Sequence, residues 1–152
     1  MDLSELTYCG LYCAMCASRR RIPAQAEALR NSLVKEGYDL FGKEIPTLAE
    51  GWDHFRAVLD HLAANPCPGC RAGGGYPACE IRTCVRDRGI TTCAECEEWP
   101  CNKSAFLVRY VNLRGDVERL REIGLERWIA EQEERAATGF CYADIRHPAD
   151  GS

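Results

Sequence analysis

The sequence predicts a mainly α fold, with helices packed around an irregular, β-poor region rich in cysteine. Two observations carry that prediction. Outside the cysteine-rich region, apolar residues recur at three- and four-residue steps, the spacing of one helix face. Within it, seven of the eleven cysteines fall in the 35 residues from Cys67 to Cys101, interrupted by Gly73-Gly74-Gly75 and Pro77. That stretch is too poor in aliphatic residues to hold itself together by apolar burial. Cross-links must do so, and the choices are disulfides or a thiolate-bound metal.

At 152 residues the chain is expected to form a single domain, 1–152, with a modest core and a frayed tail from about 138. A composition of 46% hydrophobic and 28% charged residues argues against disorder. The net charge of −4 speaks against nucleic acid as a partner, because displacing counterions from phosphates needs a positive surface. Nor is there a local basic patch. Between residues 67 and 101, Arg71, Arg82, Arg86 and Arg88 are balanced by Glu80, Asp87, Glu95, Glu97 and Glu98. The first residues have neither the basic nor the apolar region of a signal peptide. No apolar run approaches the roughly 20 residues of a membrane-spanning helix. A cytoplasmic location is therefore expected, with no membrane partner, and there thiols stay reduced. An odd number of cysteines also fits a complete disulfide framework poorly. Metal is the better reading.

The elements follow in order. Cys9-Gly-Leu-Tyr-Cys13-Ala-Met-Cys16 is a C-x3-C-x2-C cluster, whose tight turn aims sulfurs at one point, with Gly10 supplying backbone freedom. A buried cysteine-rich turn without metal is the alternative. Arg19-Arg20-Arg21 leads into a helix with Pro23 near its start, Ile22, Ala26, Leu29 and Leu33 on one stripe, and Gly37 at its end. The three arginines are read as a solvated helix start rather than an anion site. Thr47-Leu-Ala-Glu50 has the form of a capping box, opening a second helix with Leu48, Trp52, Phe55, Leu59 and Leu62 on one face. His54 and His61 lie seven apart on that helix, whereas paired metal-binding histidines prefer four, so they are read as boundary residues. Pro66 ends the helix.

Cys67-Pro-Gly-Cys70 and Cys93-Ala-Glu-Cys96 are two C-x2-C knuckles separated by 22 residues, somewhat beyond the usual zinc spacing. Between them, residues 79–88 predict a short helix closed by Gly89, with Ile81, Cys84 and Val85 inward. The glycine run lacks the Gly-Lys-Ser/Thr of a phosphate loop. Three helical segments follow Cys101. Asn102 caps the first, with Phe106, Tyr110 and Leu113 on one face and Gly115 at its end. Asp116 caps the second, with Val117, Leu120 and Ile123, stopped by Gly124. The third opens at Leu125 with Trp128 and Ile129, and its Glu131–Arg135 end is read as solvated. Cys141, Asp144 and His147 form a weak ligand set in the tail, and Pro148–Ser152 is expected to fray.

Together, CGLYCAMC, CPGC, CEIRTCVRDRGITTCAECEEWPC and the helix from Ile123 to Gln132 resemble a prokaryotic domain-of-unknown-function family, number 3795. The resemblance covers nearly the whole chain and rests on the order of ten cysteines. It implies a cysteine-rich, zinc-binding protein with no established reaction. Members of that family often carry a further C-x2-C knuckle past the helix. Here the corresponding place reads Cys141-x2-Asp144.

Three uses of the thiolates compete. In a structural zinc site, Cys67, Cys70, Cys93 and Cys96 form the best quartet, leaving Cys9, Cys13, Cys16, Cys79, Cys84 and Cys101 for a second site. Four thiolates on one Zn2+ carry excess negative charge, which Arg71, Arg82, Arg86 and Arg88 are placed to offset. An iron–sulfur cluster, for electron transfer or sensing, takes cysteines at the same short spacings. Thiol–disulfide exchange is suggested by Cys67-Pro-Gly-Cys70, but such a dithiol usually follows a strand and opens a helix, and this one follows a helix and a proline. No Ser/His/Asp set, carboxylate pair or dinucleotide fingerprint stands out. The expected function is a metal-binding, cysteine-rich binding or adaptor module for a protein or small-molecule partner that the sequence does not specify.

Overall fold

Gly37, Gly42 and Gly51 shape the segment Ser18–Cys67, one of the two compact units into which the chain divides. The computed structural model describes residues 1–110 and 113–145, without the side chains of 109 and 110. Helix α1 spans Arg21–Lys35 with Pro23 in its first turn, where a missing N–H costs nothing. Gly37, at φ +86°, stops it by donating its N–H to Val34 O. Of the expected stripe only Ala26 is fully buried, and Leu29 stays 46% exposed.

A short α2 (Tyr38–Phe41) and a 3-10 turn (Gly42–Glu44) follow, neither of which the periodicity suggests. Trp52 explains them. Its indole lies so close over Gly42 that a Cβ there would collide with Cε2, and its ring packs with Tyr38 and Phe55. Helix α3 accordingly starts at Trp52 and runs to Ala64. The capping box expected at Thr47–Glu50 does not form. Residues 45–51 are turns, and Gly51 is the N-cap without a side-chain bond. A cap is worth about 1 kcal/mol, less than the burial of an indole. Along α3, Trp52 and Leu59 are buried seven residues apart, whereas Phe55 and Leu62 are part-exposed. Helix α1 packs along α3. The two ends of the unit are clasped: Cys67 N–H donates to Ser18 O at 3.1 Å, and Arg19 Nη1 donates to Cys67 O at 2.9 Å.

The other unit comprises Met1–Ala17 and Pro68–Ser152. Its core joins Leu6, Met15, Val85, Leu113, Val117 and Trp128, all essentially inaccessible to water. Helix α4 (Glu80–Asp87) is the short helix predicted, with Ile81 and Val85 inward and Gly89 at φ +65° closing it. Helix α5 spans Ala105–Tyr110. It is Ser104, rather than Asn102, that ties down the preceding turn: the Cys101 N–H donates to Ser104 Oγ at 3.1 Å, which donates back to Cys101 O. Phe106 is largely exposed, and the side chain of Tyr110 lies outside the described residues.

Helix α6 (Leu113–Ile123) runs straight through Gly115 and Asp116. The expected stop and cap therefore sit inside one helix. Burial of Leu113, Val117 and Leu120 outweighs the ~1 kcal/mol an internal glycine costs. Asp116 points inward and accepts from Arg135 Nη1 at 3.1 Å. Gly124, at φ +79°, separates α6 from α7 (Leu125–Ala137). Gln132 and Ala136 of α7 are buried beside Trp128 and Ile129, so its C-terminal half is not a solvated face.

Past residue 138, Cys141 and Tyr142 are buried. Tyr142 is 2% exposed, and its hydroxyl accepts the N–H of Tyr12 at 3.0 Å. A buried aromatic with a satisfied hydroxyl holds this segment where composition suggested fraying. His147 and Pro148–Ser152 lie outside the described residues. The fold is mainly α; among the described residues the only β pairing is an isolated bridge between Leu6 and Tyr12. No helix among them is long and apolar enough to cross a membrane.

Candidate metal centre

All eleven cysteines are free thiols. Two of the C-x2-C segments share one shape. Cys13-Ala-Met-Cys16 and Cys93-Ala-Glu-Cys96 are each a 3-10 turn entered from an extended residue, Tyr12 or Thr92. In each, the last cysteine donates its N–H to the carbonyl of the first, at 2.9 and 3.0 Å, and ends in extended backbone. The buried alanines let these turns press on helices, the first on α7 and the second on α6.

Irregular backbone of this kind needs donors for its carbonyls, and arginines supply them. Arg71 donates from Nε to Leu6 O and from Nη2 to Thr91 O, both at 2.7 Å, while stacking over Tyr8. Arg121 donates to Ala94 O and Cys96 O, also at 2.7 Å, over the ring of Trp99. The Tyr8 carbonyl accepts the Cys93 N–H at 2.9 Å, which ties the first cysteine segment to the second.

The second turn opens on a cavity of about 190 Å³ lined by four cysteines: Cys84 from α4, Cys93 and Cys96 from the turn, and Cys101 just beyond it. Arg88 and Lys103 line the same cavity. Arg88 Nη1 donates to Cys96 Sγ at 3.4 Å, and its Nη2 is held by Glu98 at 2.8 Å. Burial pushes the Cys93 thiol up to about 12, with Cys9, Cys101, Cys96 and Cys84 adding to the rise. Cys101 moves the other way. Desolvation is the largest single influence and raises it, but the Ser104 and Lys103 N–H groups, the Ser104 hydroxyl and the Lys103 charge together carry the thiol below its ordinary value.

A second group of sulfurs lies on the N-terminal side of the same unit. The Cys70 N–H donates to Cys13 Sγ at 3.3 Å, and the Thr7 hydroxyl meets Cys9 Sγ at 3.1 Å. Burial raises Cys9 to about 12, with Cys70 and Cys79 adding to it, and raises Cys13 to about 11, with Cys70 and Cys16 adding. These thiols crowd one another without any cation in the described residues that donates to their sulfurs.

The grouping differs from the pairing of knuckles that spacing suggests. Cys93 and Cys96 share their cavity with Cys84 and Cys101, whereas Cys70 lies against Cys13. Cys67 closes the other unit. Among the described residues no three Cys, His, Asp or Glu side chains already stand at metal-ligating distances, so the four cysteines share a cavity without being drawn onto a common point. The arginines also differ from expectation. Among the described residues only Arg88 of the four donates to a sulfur; Arg71 serves carbonyls, Arg82 donates to Gly74 O, and Arg86 is exposed. His54 and His61 are exposed on α3. Cys141 is a buried thiol, and the Asp144 carboxylate accepts its backbone N–H at 3.2 Å. The sequence signal for the cavity set is the run Cys84-x8-Cys93-x2-Cys96-x4-Cys101; Cys84 is part-exposed rather than inward, since Ile81 and Val85 take the buried face of α4 and leave its side chain at the cavity rim.

The family model described as "Protein of unknown function (DUF3795)" matches residues 5–105, more than half of the chain and all ten clustered cysteines. No curated protein and no solved structure matches it.

Proposed function

The chain belongs to the DUF3795 family, and we propose that it is a metal-binding protein whose Zn2+ is held by Cys84, Cys93, Cys96 and Cys101. One observation carries the reading: four thiols from separate local segments line a single small cavity. The donor set fits the ion. Thiolate sulfur is a preferred zinc donor, and four such ligands make a closed site that stabilises a fold and keeps no catalytic water. Arg88 donating to Cys96 Sγ, and Lys103 beside Cys101, supply part of the positive charge that four thiolates require. Cys9, Cys13, Cys16, Cys70 and Cys79 are the candidates for a second ion. The metal holds a loop region that lacks its own core, and the whole serves as a binding or adaptor module for a protein or small molecule.

Elemental analysis of protein purified without oxygen tests this. One zinc equivalent should disappear in Cys93→Ser/Cys96→Ser and remain in Cys141→Ser, a buried thiol outside the set. Iron with acid-labile sulfide in place of zinc would replace the ion while keeping the site. Equal metal content in all three proteins would remove the site itself.

A further inference from the structure

The four sulfurs of the cavity are not equivalent, and the difference assigns one of them a chemical role. Cys96 Sγ accepts a hydrogen bond from Arg88. Cys101 lies beside Lys103 and Ser104, which carry its thiol below the ordinary value, and it does not line the groove described next. Cys93 is only 8% exposed. Cys84 is part-exposed and, among the described residues, its sulfur receives no hydrogen bond. It is also the one cysteine of the four that lines a second, more open groove of about 460 Å³ along α4, with Glu80, Thr83, Asp87, Arg88 and Lys103. Hydrogen bonds to a thiolate hold its electron pair and slow its attack, and burial denies access. The sulfur with neither is the nucleophile.

We propose that Cys84 is the reactive sulfur of the set, taking an alkyl group from a small electrophile that arrives through the α4 groove. The inference rests on the metal-binding reading, which keeps the four sulfurs as thiolates at neutral pH. In the step, the Cys84 thiolate donates its electron pair to an electrophilic carbon. A sulfur–carbon bond forms, the bond from that carbon to its leaving group breaks, and the leaving group departs with that pair. The groove pairs two carboxylates with two cations, Glu80 and Asp87 against Arg88 and Lys103, so it favours an uncharged electrophile over a strongly charged one. The product is a thioether, a poorer ligand than a thiolate, so alkylation weakens the site and links exposure to an electrophile with release of the ion.

The test treats zinc-loaded protein with sub-stoichiometric iodoacetamide, maps the label by peptide mass spectrometry and reads zinc content in the same sample. Within the set, Cys84 should carry about tenfold more label than Cys96, the effect of one hydrogen bond to a charged acceptor. Arg88→Met should raise Cys96 labelling by about the same factor while leaving Cys84 the more reactive or equal. Zinc bound with Cys93, Cys96 or Cys101 labelled first overturns the assignment of Cys84 alone. Folded protein that never takes up zinc overturns the metal reading, and this inference with it. Preferential labelling of Cys84 by iodoacetate over iodoacetamide leaves the nucleophile in place and overturns the uncharged substrate class.

Discussion

Replacing Arg71 separates charge from geometry in the cysteine-bearing unit. Its guanidinium donates to the carbonyls of Leu6 and Thr91, both at 2.7 Å, and lies 4.7 Å from the centre of the Tyr8 ring. The residue is half-buried. Each hydrogen bond from a charged donor is then worth about 1.5 kcal/mol, and the ring contact about 0.5 kcal/mol. Arg71→Ala should cost about 3.5 kcal/mol. Arg71→Lys keeps the charge but replaces a planar fork with a single ammonium, which cannot serve both carbonyls while stacking on Tyr8. It should cost about 2 kcal/mol, one hydrogen bond and the stacking. In a chain of this length each kcal/mol lowers the melting temperature by about 2–4 °C, so the alanine variant falls by about 7–14 °C and the lysine variant by about 4–8 °C. The measurement is thermal denaturation by circular dichroism on reduced, metal-free protein, where no bound ion adds to the stability of either state. If Arg71 acted as a counter-charge to the thiolates, lysine would serve equally well. A lysine variant melting within a degree of the parent refutes the argument from the fork.

Two further substitutions probe the packing of the same unit. Gly10→Ala forces an L side chain into φ +96° and brings its Cβ to 2.8 Å from Val117 Cγ2 on the buried face of α6. Backbone strain of about 1–2 kcal/mol and overpacking of about 1–3 kcal/mol should add, giving a urea midpoint well below that of the parent; an unchanged midpoint would show that the backbone at Gly10 does not seat on α6. Asp116 gives a pH dependence. Burial raises its carboxyl above the ordinary value, with the charge and hydrogen bond of Arg135 on α7 opposing, and Tyr142 facing it from the C-terminal turn. The folded state therefore holds this proton more tightly than the unfolded one. Its contribution is fully present below the unfolded pKa of about 3.9 and is lost as pH rises through the folded value. Asp116→Asn should flatten that part of the stability curve, measured by urea titration from acid to neutral pH. The same slope in both proteins would assign it to another group.

The helices were legible where one apolar face decides the outcome. Helix α4 follows from Ile81 and Val85, and α1 from Pro23 and Gly37, because periodicity and backbone restrictions act locally there. Local signals failed where a distant partner was stronger. Thr47–Glu50 has the residues of a capping box, yet Trp52 seats on Gly42 and draws the start of α3 forward. Gly115 and Asp116 resemble a stop and a cap, yet the burial of Leu113 and Val117 and the reach of Arg135 carry α6 through both. The packed turn at Cys141–Asp144 could not be seen, since it depends on the Tyr142 hydroxyl meeting a backbone N–H 130 residues away.

Grouping of the sulfurs fails for a related reason. A C-x2-C spacing says that two sulfurs leave the same turn, but not which other sulfur faces them. That is set by what the turn rests on. Cys93-Ala-Glu-Cys96 lies on α6 and is fastened there by Arg121, which turns its sulfurs toward α4 and Cys84. The arginines illustrate the physics. Near a cluster of thiols, a positive side chain invites reading as a counter-ion, yet a loop region without regular structure also leaves carbonyls in need of donors. A guanidinium can satisfy two of them at once, which no other side chain does as well. Arg71 and Arg121 are committed in that way, and Arg88 alone of the cluster's expected counter-charges donates to a sulfur. It follows that the arginine count in a cysteine-rich loop measures its backbone irregularity at least as much as its charge. On the proposed metal-binding reading, the charge of the ligating thiolates is therefore offset mainly by the ion and only in part by Arg88.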